Sequence, residues 1–353
     1  MATDKYLTAS QKAVDCLLKT ICQPDFRKEH KDVAFYFKSV TSLLLAGKHK
    51  EANFILDHIR ATCRKGGDFV SPGAEEGQKS ANGAYNEFWS YANGWIAMGA
   101  VRLQRFDVAY PAYRYLEEKF FHRELGGGTV KPLSKTEPNI VEVISTSHLG
   151  MVFMSFGDLD KAWRCGENLT LFTKKNLHHD DDPNTFYLRM DDKEKLIKDF
   201  PAEAAAICAV KATEPNQLYF FIGYPIAFLA KLFVATGEDK FRDCAEELLE
   251  FCMRCDESIY SSNFSHKVGW GAACLAAVYR NRNSKKEKYI QVATKIADHL
   301  VSLQSDRGSF LDSGPEMDNL DQTAEISVWL REIATELDRV AELDRAKSLK
   351  FGN

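Results

Sequence analysis

Apolar residues recur every three or four positions along most of this chain, and the stretches in which they do so come in pairs. Residues 225–239 and 240–255 form one pair, separated at Gly237, and residues 265–280 and 288–304 form the next. A spacing of three to four places apolar side chains on one face of a helix. The short breaks within each pair predict antiparallel helical hairpins.

Three more pairs precede these, and the first of them turns at Gly47, where a helix end needs a left-handed residue. A further helix is predicted at each end of the chain, at 6–21 and at 320–340. The three earlier hairpins are predicted at 32–47 with 50–65, 86–104 with 108–125, and 140–157 with 159–175.

The number of predicted helices indicates a closed ring. Five hairpins and the helix at 320–340 leave one place, which the N-terminal helix at 6–21 fills as the outer partner of the last helix. Repeats that bury a face only against their neighbours need capping or closure, and no polar capping repeat is visible. We therefore expect a single all-α domain over residues 1–353, an (α/α)6 toroid of six inner and six outer helices. An open solenoid is the alternative.

The connections differ in length on the two rims of such a ring. Turns from inner to outer helices are short, whereas the connections back to the inner helices are long, and long loops in compact domains are often functional. The N-termini of the inner helices would converge on the same rim, which we expect to hold the mouth of a central cavity. The longest connection, 176–218, includes a predicted short helix at 201–212 and forms either a lid over this mouth or a solvated excursion.

Composition narrows the class of protein. The net charge of −4, without long blocks of one sign, argues against a nucleic-acid partner. No apolar run is long enough to predict a membrane span, and the start of the sequence lacks the apolar core of a signal peptide. Nine cysteines without a framework spacing indicate reduced, buried thiols. We expect a cytoplasmic protein, and the sequence leaves its oligomeric state open.

The paired helices, the glycine turns at Gly157 and Gly237, and the stretch Gln304 to Phe310 (QSDRGSF) together resemble the α/α-toroid proteins. These include the terpenoid cyclases and the six-hairpin glycosidases and epimerases. The resemblance implies a deep cavity inside the inner ring with catalytic acids, His or Tyr near its mouth. The chain departs from the cyclases, because it has neither an Asp-x-Asp-Asp motif nor a DDxxD metal motif on an inner helix.

Two carboxylates form the first candidate site. Asp321 and Glu325 are four residues apart, which places both on one helical face. Two carboxyls facing a low-dielectric cavity repel each other, which raises one pKa and produces an acid/base pair. The alternative is the wet face of an ordinary helix, because Glu332 and Glu336 continue the same stripe.

Other polar residues lie near the predicted starts of inner helices. His266 is a candidate general base, since a helix N-terminus lowers the pKa of a histidine. Tyr224 and Glu87 are further catalytic candidates, with Tyr224 preceding a proline taken as the first residue of its helix. For each of them, capping or packing is the structural alternative. The candidates for substrate binding are His148, Lys267 and a set of aromatic residues that is typical either of a cavity lining or of ordinary core: Trp89, Tyr91, Trp95, Trp270 and Trp329.

Metal and nucleotide sites are not predicted. The run from His178 to Asp182 has metal-binding residue types, but such a loop cluster is usually solvated, and no GxGxxG, P-loop, HExxH or GxSxG motif is present. We therefore expect no metal and no cofactor.

These patterns predict a cofactor-independent acid/base enzyme, a cyclase, isomerase or lyase, acting on a small apolar, polyketide- or terpenoid-like molecule in an aromatic-lined cavity. The first alternative is a carbohydrate-active six-hairpin enzyme, namely a hydrolase, lyase or sugar epimerase. The second is a helical-repeat interaction protein without catalysis.

Overall fold

The computed structural model describes residues 3–178, 182–279, 281 and 283–348, and these residues are mostly helical, with short strands in the connections. The helices are α1 (Asp4–Thr20), α2 (Pro24–Glu29), α3 (Ser39–Leu45), α4 (His49–Cys63), α5 (Trp89–Arg102), α6 (Phe106–Phe120), α7 (Val143–Ser155), α8 (Leu159–Leu177), α9 (Ala205–Cys208), α10 (Phe220–Thr236), α11 (Asp239–Arg254), α12 (His266–Val278), α13 (Ser284–Ser302) and α14 (Glu316–Ser348). The strands are β1 (Arg64–Lys65), β2 (Asp68–Phe69), β3 (Phe121–His122), β4 (Gly127–Gly128), β5 (Val141–Glu142), β6 (Thr185–Tyr187), β7 (Arg189–Met190) and β8 (Ala209–Lys211).

Burial separates the two helices of each hairpin. Every residue of α5 from Ser90 to Ala100 is buried, so this helix is enclosed on all sides. In its partner α6 the buried residues recur at helical spacing, as Val108, Ala112 and Leu116 do, which leaves the opposite face to solvent. The predicted alternation of inner and outer helices is confirmed in this pattern.

The contacts between residues divide the chain into two compact units. Unit 1 takes in the residues up to Thr8, Gly166–Leu303 and the residues from Trp329 onward. Unit 2 takes in Ala9–Cys165 and Gln304–Val328.

In unit 2 the first helices of successive hairpins pack side by side. Helix α5 lies between α3 and α7 and also packs against its own hairpin partner α6. Gly99 makes the contact with α3 possible, because a Cβ there would lie 2.9 Å from Val40 Cγ1. Two antiparallel strand pairs, β1 with β2 and β3 with β4, order the long connections before α5 and α7.

In unit 1 the same arrangement recurs with α10 and α12. The two helices approach closely at Gly223, where a Cβ would lie 2.3 Å from the backbone nitrogen of Val268. Each also packs against its own outer helix, α10 against α11 and α12 against α13. The 176–218 connection contains the antiparallel pair β6 and β8.

The predicted pairing of the N-terminal helix with the C-terminal helix is present. In unit 1 the Thr3 hydroxyl donates to Asp338 Oδ1 at 2.6 Å. In unit 2 the Ser10 hydroxyl donates to the carbonyl of Ser327 at 2.8 Å. Each unit therefore contains a hydrogen bond between its part of the N-terminal segment and α14.

The QSDRGSF stretch forms the turn that follows α13. The Gln304 side chain donates to the carbonyls of Ala9, at 2.8 Å, and Gly308, at 3.0 Å. Gly308 has a φ of +99°, and a Cβ there would lie 2.4 Å from the carbonyl oxygen of Lys12. This stretch therefore ties the turn to α1.

Two details of the predicted helices are wrong. The short helix expected at 201–212 is confined to Ala205–Cys208 and a preceding 3₁₀ turn, because Ala209–Lys211 pairs as β8 with β6 and tertiary pairing outweighs the helix propensity of alanine. Pro225 does not begin its helix, since α10 starts at Phe220. The burial of Phe221 and Ile222 outweighs the hydrogen bond that proline removes.

Within the part of the chain that the structure describes, no helix is both long enough and apolar enough to cross a membrane. Seven of the nine cysteines are buried, and Cys16 and Cys22 are partly exposed.

Candidate active site

A lysine, two carboxylates and a tyrosine form a buried polar cluster in unit 2. Lys38 lies at the N-terminal end of α3, and its Nζ is 2.6 Å from Asp321 Oδ2 and 2.5 Å from Glu325 Oε2 on α14. The Tyr91 hydroxyl, on α5, donates to the other oxygen of Glu325 at 2.8 Å. These four side chains are each 3–6% exposed. We call them the Lys38 cluster.

The prediction that Asp321 and Glu325 share one face is confirmed by their common contact with Lys38. The interpretation of this pair as two carboxylates that only repel each other was incomplete, because Lys38 supplies a positive charge to both. A buried ion pair is favourable only when hydrogen bonds satisfy its charges. The ammonium also lies 5.7 Å from the centre of the Tyr91 ring, within the range of a cation–π contact.

The charge state of Lys38 is set by two opposing effects. Burial acts to lower the pKa of Lys38, but the charges of Asp321 and Glu325 and their hydrogen bonds outweigh it, so the pKa is raised. Lys38 is therefore a cation at physiological pH. This state suits an electrostatic role and does not suit a nucleophilic amine, which must be deprotonated.

His148 extends the cluster on the α7 side. Its ring is fully buried and lies 4.4 Å from the ring of Tyr91, centre to centre. Gly94 allows this approach, because a Cβ at that position would lie 2.1 Å from His148 Nε2. Trp95 completes the aromatic surroundings, with its ring edge-on to Tyr91 at 6.1 Å.

Two partly exposed residues of interest lie in the connection before α5. Tyr85 belongs to the connection before α5, and its ring meets Phe37 edge-on at 6.1 Å. Burial, followed by the charges of Asp321, Asp318 and Glu325, raises the pKa of Tyr85 well above its usual range. Glu87, predicted as catalytic, is partly exposed and lies just before α5.

Trp89, predicted to bind substrate, has its polar end engaged inside the protein. Its indole N–H donates to the carboxylate of Asp68, at 3.0 Å to Oδ2 and 3.2 Å to Oδ1. Its ring is partly exposed, with the ammonium of Lys79 5.4 Å from the ring centre.

The remaining predicted residues lie in unit 1, where they form an aromatic and basic group. The rings of Trp270 and Trp329 are 4.3 Å apart at an interplanar angle of 30°, and Tyr224 meets both edge-on. His266 is the first residue of α12 and lies within hydrogen-bonding distance of the carbonyl of Asn263, at 2.5 Å from its Nδ1. Lys267 is buried, with its ammonium 4.7 Å from the centre of the Phe220 ring.

Three functional candidates of unit 2, namely Lys38, Tyr85 and Asp68, were missed from the sequence. Lys38 had a recognisable signal, because it is a lone cation within the apolar run 33–45 and would be buried with a counter-charge. Tyr85 and Asp68 lie in an irregular connection, where periodicity does not indicate which side chains turn inward.

No group of three His, Cys, Asp or Glu side chains among the described residues is arranged to hold a metal ion. The His178 to Asp182 run lies partly outside those residues. His178 itself is within 3.1 Å of Glu247 Oε2.

No protein-family model matches the chain, and no curated protein matches its sequence. Solved structures do match its fold. A D-mannose isomerase superposes with a TM-score of 0.60 at 13% identity, over 85% of this chain and 85% of that one. A GH76 α-mannanase of Bacteroides thetaiotaomicron gives 0.59 at 11% identity, over 96% and 97%. An unsaturated glucuronyl hydrolase of Bacillus sp. GL1 gives 0.59 at 12% identity, over 93% and 96%.

Likeness at this low identity shows the fold alone. The chain has the all-α (α/α)6 toroid fold, which confirms the predicted fold class and the resemblance to the α/α-toroid proteins.

Proposed function

We propose that this chain is a carbohydrate-active enzyme that isomerises or epimerises a sugar by acid/base catalysis at the Lys38 cluster. The observation that carries the proposal is the pair of buried carboxylates held by one ammonium, with the Tyr91 hydroxyl on the same Glu325. Convergent titratable groups of this kind are candidates for proton transfer. The fold neighbours, which include a D-mannose isomerase, favour a sugar over the terpenoid-like substrate expected first.

The proposed chemistry starts from the open-chain form of an aldose. Glu325 takes the proton from the carbon next to the carbonyl, and the C–H electron pair forms a carbon–carbon double bond as the carbonyl oxygen is protonated. Tyr91 and His148 are the proposed proton donors and acceptors at the oxygens. Return of the proton to the neighbouring carbon gives the ketose, and return to the other face of the same carbon gives the epimer. The step is redox-neutral, leaves Glu325 unchanged and requires no cofactor.

Lys38 and Tyr85 have supporting roles in this proposal. The Lys38 ammonium keeps Glu325 an anion, as a base must be, and balances part of the charge of Asp321. Tyr85, which lies within the electrostatic range of Asp321 and Glu325, is proposed to donate a hydrogen bond to the developing enediolate. Glu87, which is partly exposed just before α5, is proposed to orient the substrate.

Glycoside hydrolysis is the second candidate, favoured by the mannanase and glucuronyl hydrolase neighbours. Hydrolysis by paired carboxyl groups needs one of them protonated as the general acid. In the Lys38 cluster both carboxylates accept a hydrogen bond from the same ammonium, which favours the ionised form of each. This arrangement favours a base and so an isomerase. The alternative of a non-catalytic helical-repeat interaction protein would be favoured by an open solenoid. The matching solved structures have a toroid fold instead, so this alternative is less favoured.

The group in unit 1 remains a predicted substrate-binding group. Trp270 and Trp329 are buried 4.3 Å apart at an interplanar angle of 30°, with Tyr224 edge-on, and they are the proposed aromatic members of this group. We propose His266 and Lys267 as its polar members. We propose the cytoplasm as the compartment, as expected from cysteines without a framework spacing in the sequence.

Product analysis on a substrate panel tests the proposal. The panel contains D-mannose, other neutral aldoses and ketoses, an α-1,6-mannotriose, an unsaturated uronide and a prenyl alcohol. We expect the purified protein to interconvert an aldose with its ketose or epimer, and the Glu325→Gln variant to lose this activity. Release of a reducing sugar from the trisaccharide or the uronide, without isomerisation, would establish hydrolysis instead.

A further inference from the structure

A second buried polar cluster lies in unit 2 and is centred on Asp68, at the start of the connection between α4 and α5. Its carboxylate is 7% exposed and accepts hydrogen bonds from four side chains and from its own strand. The donors are Lys79 Nζ at 2.9 Å, Asn93 Nδ2 at 2.7 Å, Trp89 Nε1 at 3.0 Å, Tyr115 Oη at 3.0 Å and the backbone N–H of Phe69 at 2.8 Å.

Lys79 is fully enclosed in this cluster and has no exposed surface. Its ammonium donates to Asp68, to the carbonyl of Phe69 at 2.6 Å and to Asn93 Oδ1 at 2.7 Å, so each of its three N–H groups has an acceptor. Burial acts to raise the pKa of Asp68, but Lys79 and the hydrogen bonds outweigh it, and the pKa is lowered. The cluster is therefore a fully satisfied ion pair, of the kind that rigidifies its surroundings.

The position of the donors links Asp68 to the Lys38 cluster. Trp89 is the first residue of α5 and Asn93 lies one turn later, so Asp68 holds the helix on both sides of Tyr91 in the sequence. Tyr91 in turn donates to Glu325. We infer that Asp68 is a positioning residue, which fixes the first turn of α5 so that the Tyr91 hydroxyl stays on Glu325. The catalytic consequence of this inference rests on the proposed function.

The carboxylate geometry provides a selective substitution. Oδ1 accepts from Lys79 and Asn93, whereas Oδ2 accepts from Tyr115 and makes the shorter contact with Trp89. In Asp68→Asn, the amide oxygen can take the place of Oδ1 and keep the contacts with Lys79 and Asn93. The amide NH₂ group then takes the place of Oδ2 and faces the indole N–H of Trp89. Two donors then face each other at the start of α5. Trp89→Phe removes the second of these donors.

The expected kinetic result is coupling between Asp68 and Tyr91. Asp68→Asn should lower kcat on the active sugar of the panel about 10- to 100-fold, the range typical of lost outer-shell support, with a smaller change in KM. Addition of Trp89→Phe should restore part of kcat. In a Tyr91→Phe background, Asp68→Asn should lower kcat by less than about threefold, since the group it positions is gone. The control is Asp107→Asn, which removes an exposed carboxylate paired with Arg60 and Arg105.

A signal that needs no substrate separates this inference from the proposed function. With 3-fluorotyrosine in place of tyrosine, the ¹⁹F resonance of residue 91 is assigned by its absence in Tyr91→Phe. We expect Asp68→Asn to shift this resonance and Asp107→Asn to leave it in place. If Asp68→Asn does not fold, Trp89→Phe replaces it in this test. Trp89→Phe keeps the Asp68–Lys79 pair, which should preserve the fold, but it loses the hydrogen bond from Trp89 to Asp68 and should therefore shift the resonance.

The outcomes are distinct. An unchanged resonance, or equal effects of Asp68→Asn on kcat with and without the Tyr91 hydroxyl, would overturn the positioning role. A shifted resonance in a protein that transforms no sugar of the panel would support positioning of Tyr91 and reject the proposed function.

Discussion

The Tyr91 hydroxyl donates a hydrogen bond of 2.8 Å to Glu325 Oε1, which joins the first turn of α5 to α14 within unit 2. Phenylalanine at position 91 keeps the ring and removes this bond. Because the acceptor is a buried carboxylate, we expect Tyr91→Phe to lower the free energy of unfolding by about 1.5–3 kcal/mol. Urea unfolding measures this loss. Tyr110→Phe is the matched control, since Tyr110 is 48% exposed in the same unit. A similar loss of stability in the control would show that the hydrogen bond from Tyr91 to Glu325 makes no specific contribution.

Lys38→Met should be the most destabilising single change in the cluster. It leaves Asp321 and Glu325 buried beside each other without a cation, and breaking a buried ion pair on one side costs about 3–5 kcal/mol. Protonation of either carboxylate relieves the repulsion. The difference in free energy of unfolding between wild type and Lys38→Met should therefore decrease as the pH falls from 7 to 5. Chemical unfolding at both pH values measures it. A deficit that stays constant with pH would show that the two carboxylates do not interact through Lys38.

Gly94→Ala should disturb His148 without changing any polar group. The added methyl would lie 2.1 Å from His148 Nε2, so the histidine ring or the helix that carries it must shift. We expect overpacking to lower the free energy of unfolding by about 1–3 kcal/mol. We also expect kcat to fall under conditions in which the variant is fully folded. Gly83→Ala is the control, because a Cβ there meets nothing within 4 Å. Full activity of Gly94→Ala would argue against a role for His148.

The pH dependence of stability should carry a contribution from Asp68. Its pKa is lowered in the folded protein, so its interactions stabilise the fold fully above the unfolded value near 3.9. This stabilisation is lost as the pH falls from there through the lower, folded pKa. The difference in free energy of unfolding between wild type and Asp68→Asn should therefore be constant from pH 7 to 5 and decrease below about pH 4. A difference that grows with acidification would contradict the assignment.

The packing of α1 should be essential for stability. Leu17 is fully buried on α1, and Leu17→Ala should cost about 2–5 kcal/mol. Lys19→Ala on the exposed side of the same helix should change the free energy of unfolding by less than about 0.5 kcal/mol. If Leu17→Ala were as mild as Lys19→Ala, α1 would be a dispensable addition to the fold.

The helices and their order could be predicted from the sequence because the apolar period repeats through the chain. Paired apolar runs with short turns between them indicated the hairpins, and the structure adds that α5 and α10 are mostly buried whereas α6 and α11 are buried on one face. The spacing of Asp321 and Glu325 predicted their common face for the same reason. Helix geometry alone decides which residues share a face.

The partner of the two carboxylates could not be predicted in this way. Lys38 lies 283 residues from Asp321 in the sequence, and only the packing of α3 against α14 brings them together. The role of Asp68 was hidden for a different reason. It lies in a connection without periodicity, where the direction of a side chain depends on a contact with Lys79 that local pattern does not specify.

Solvent deuterium incorporation tests the central claim most directly. The protein is incubated in D₂O with D-mannose or the active aldose of the panel, and the product is examined by NMR and mass spectrometry. If Glu325 removes the carbon-bound proton and exchanges it with solvent before the return, wild type should form ketose or epimer carrying deuterium at the reprotonated carbon, and Glu325→Gln should form neither product nor deuterated substrate. Product formed by Glu325→Gln at the wild-type rate, with or without deuterium, would contradict the account.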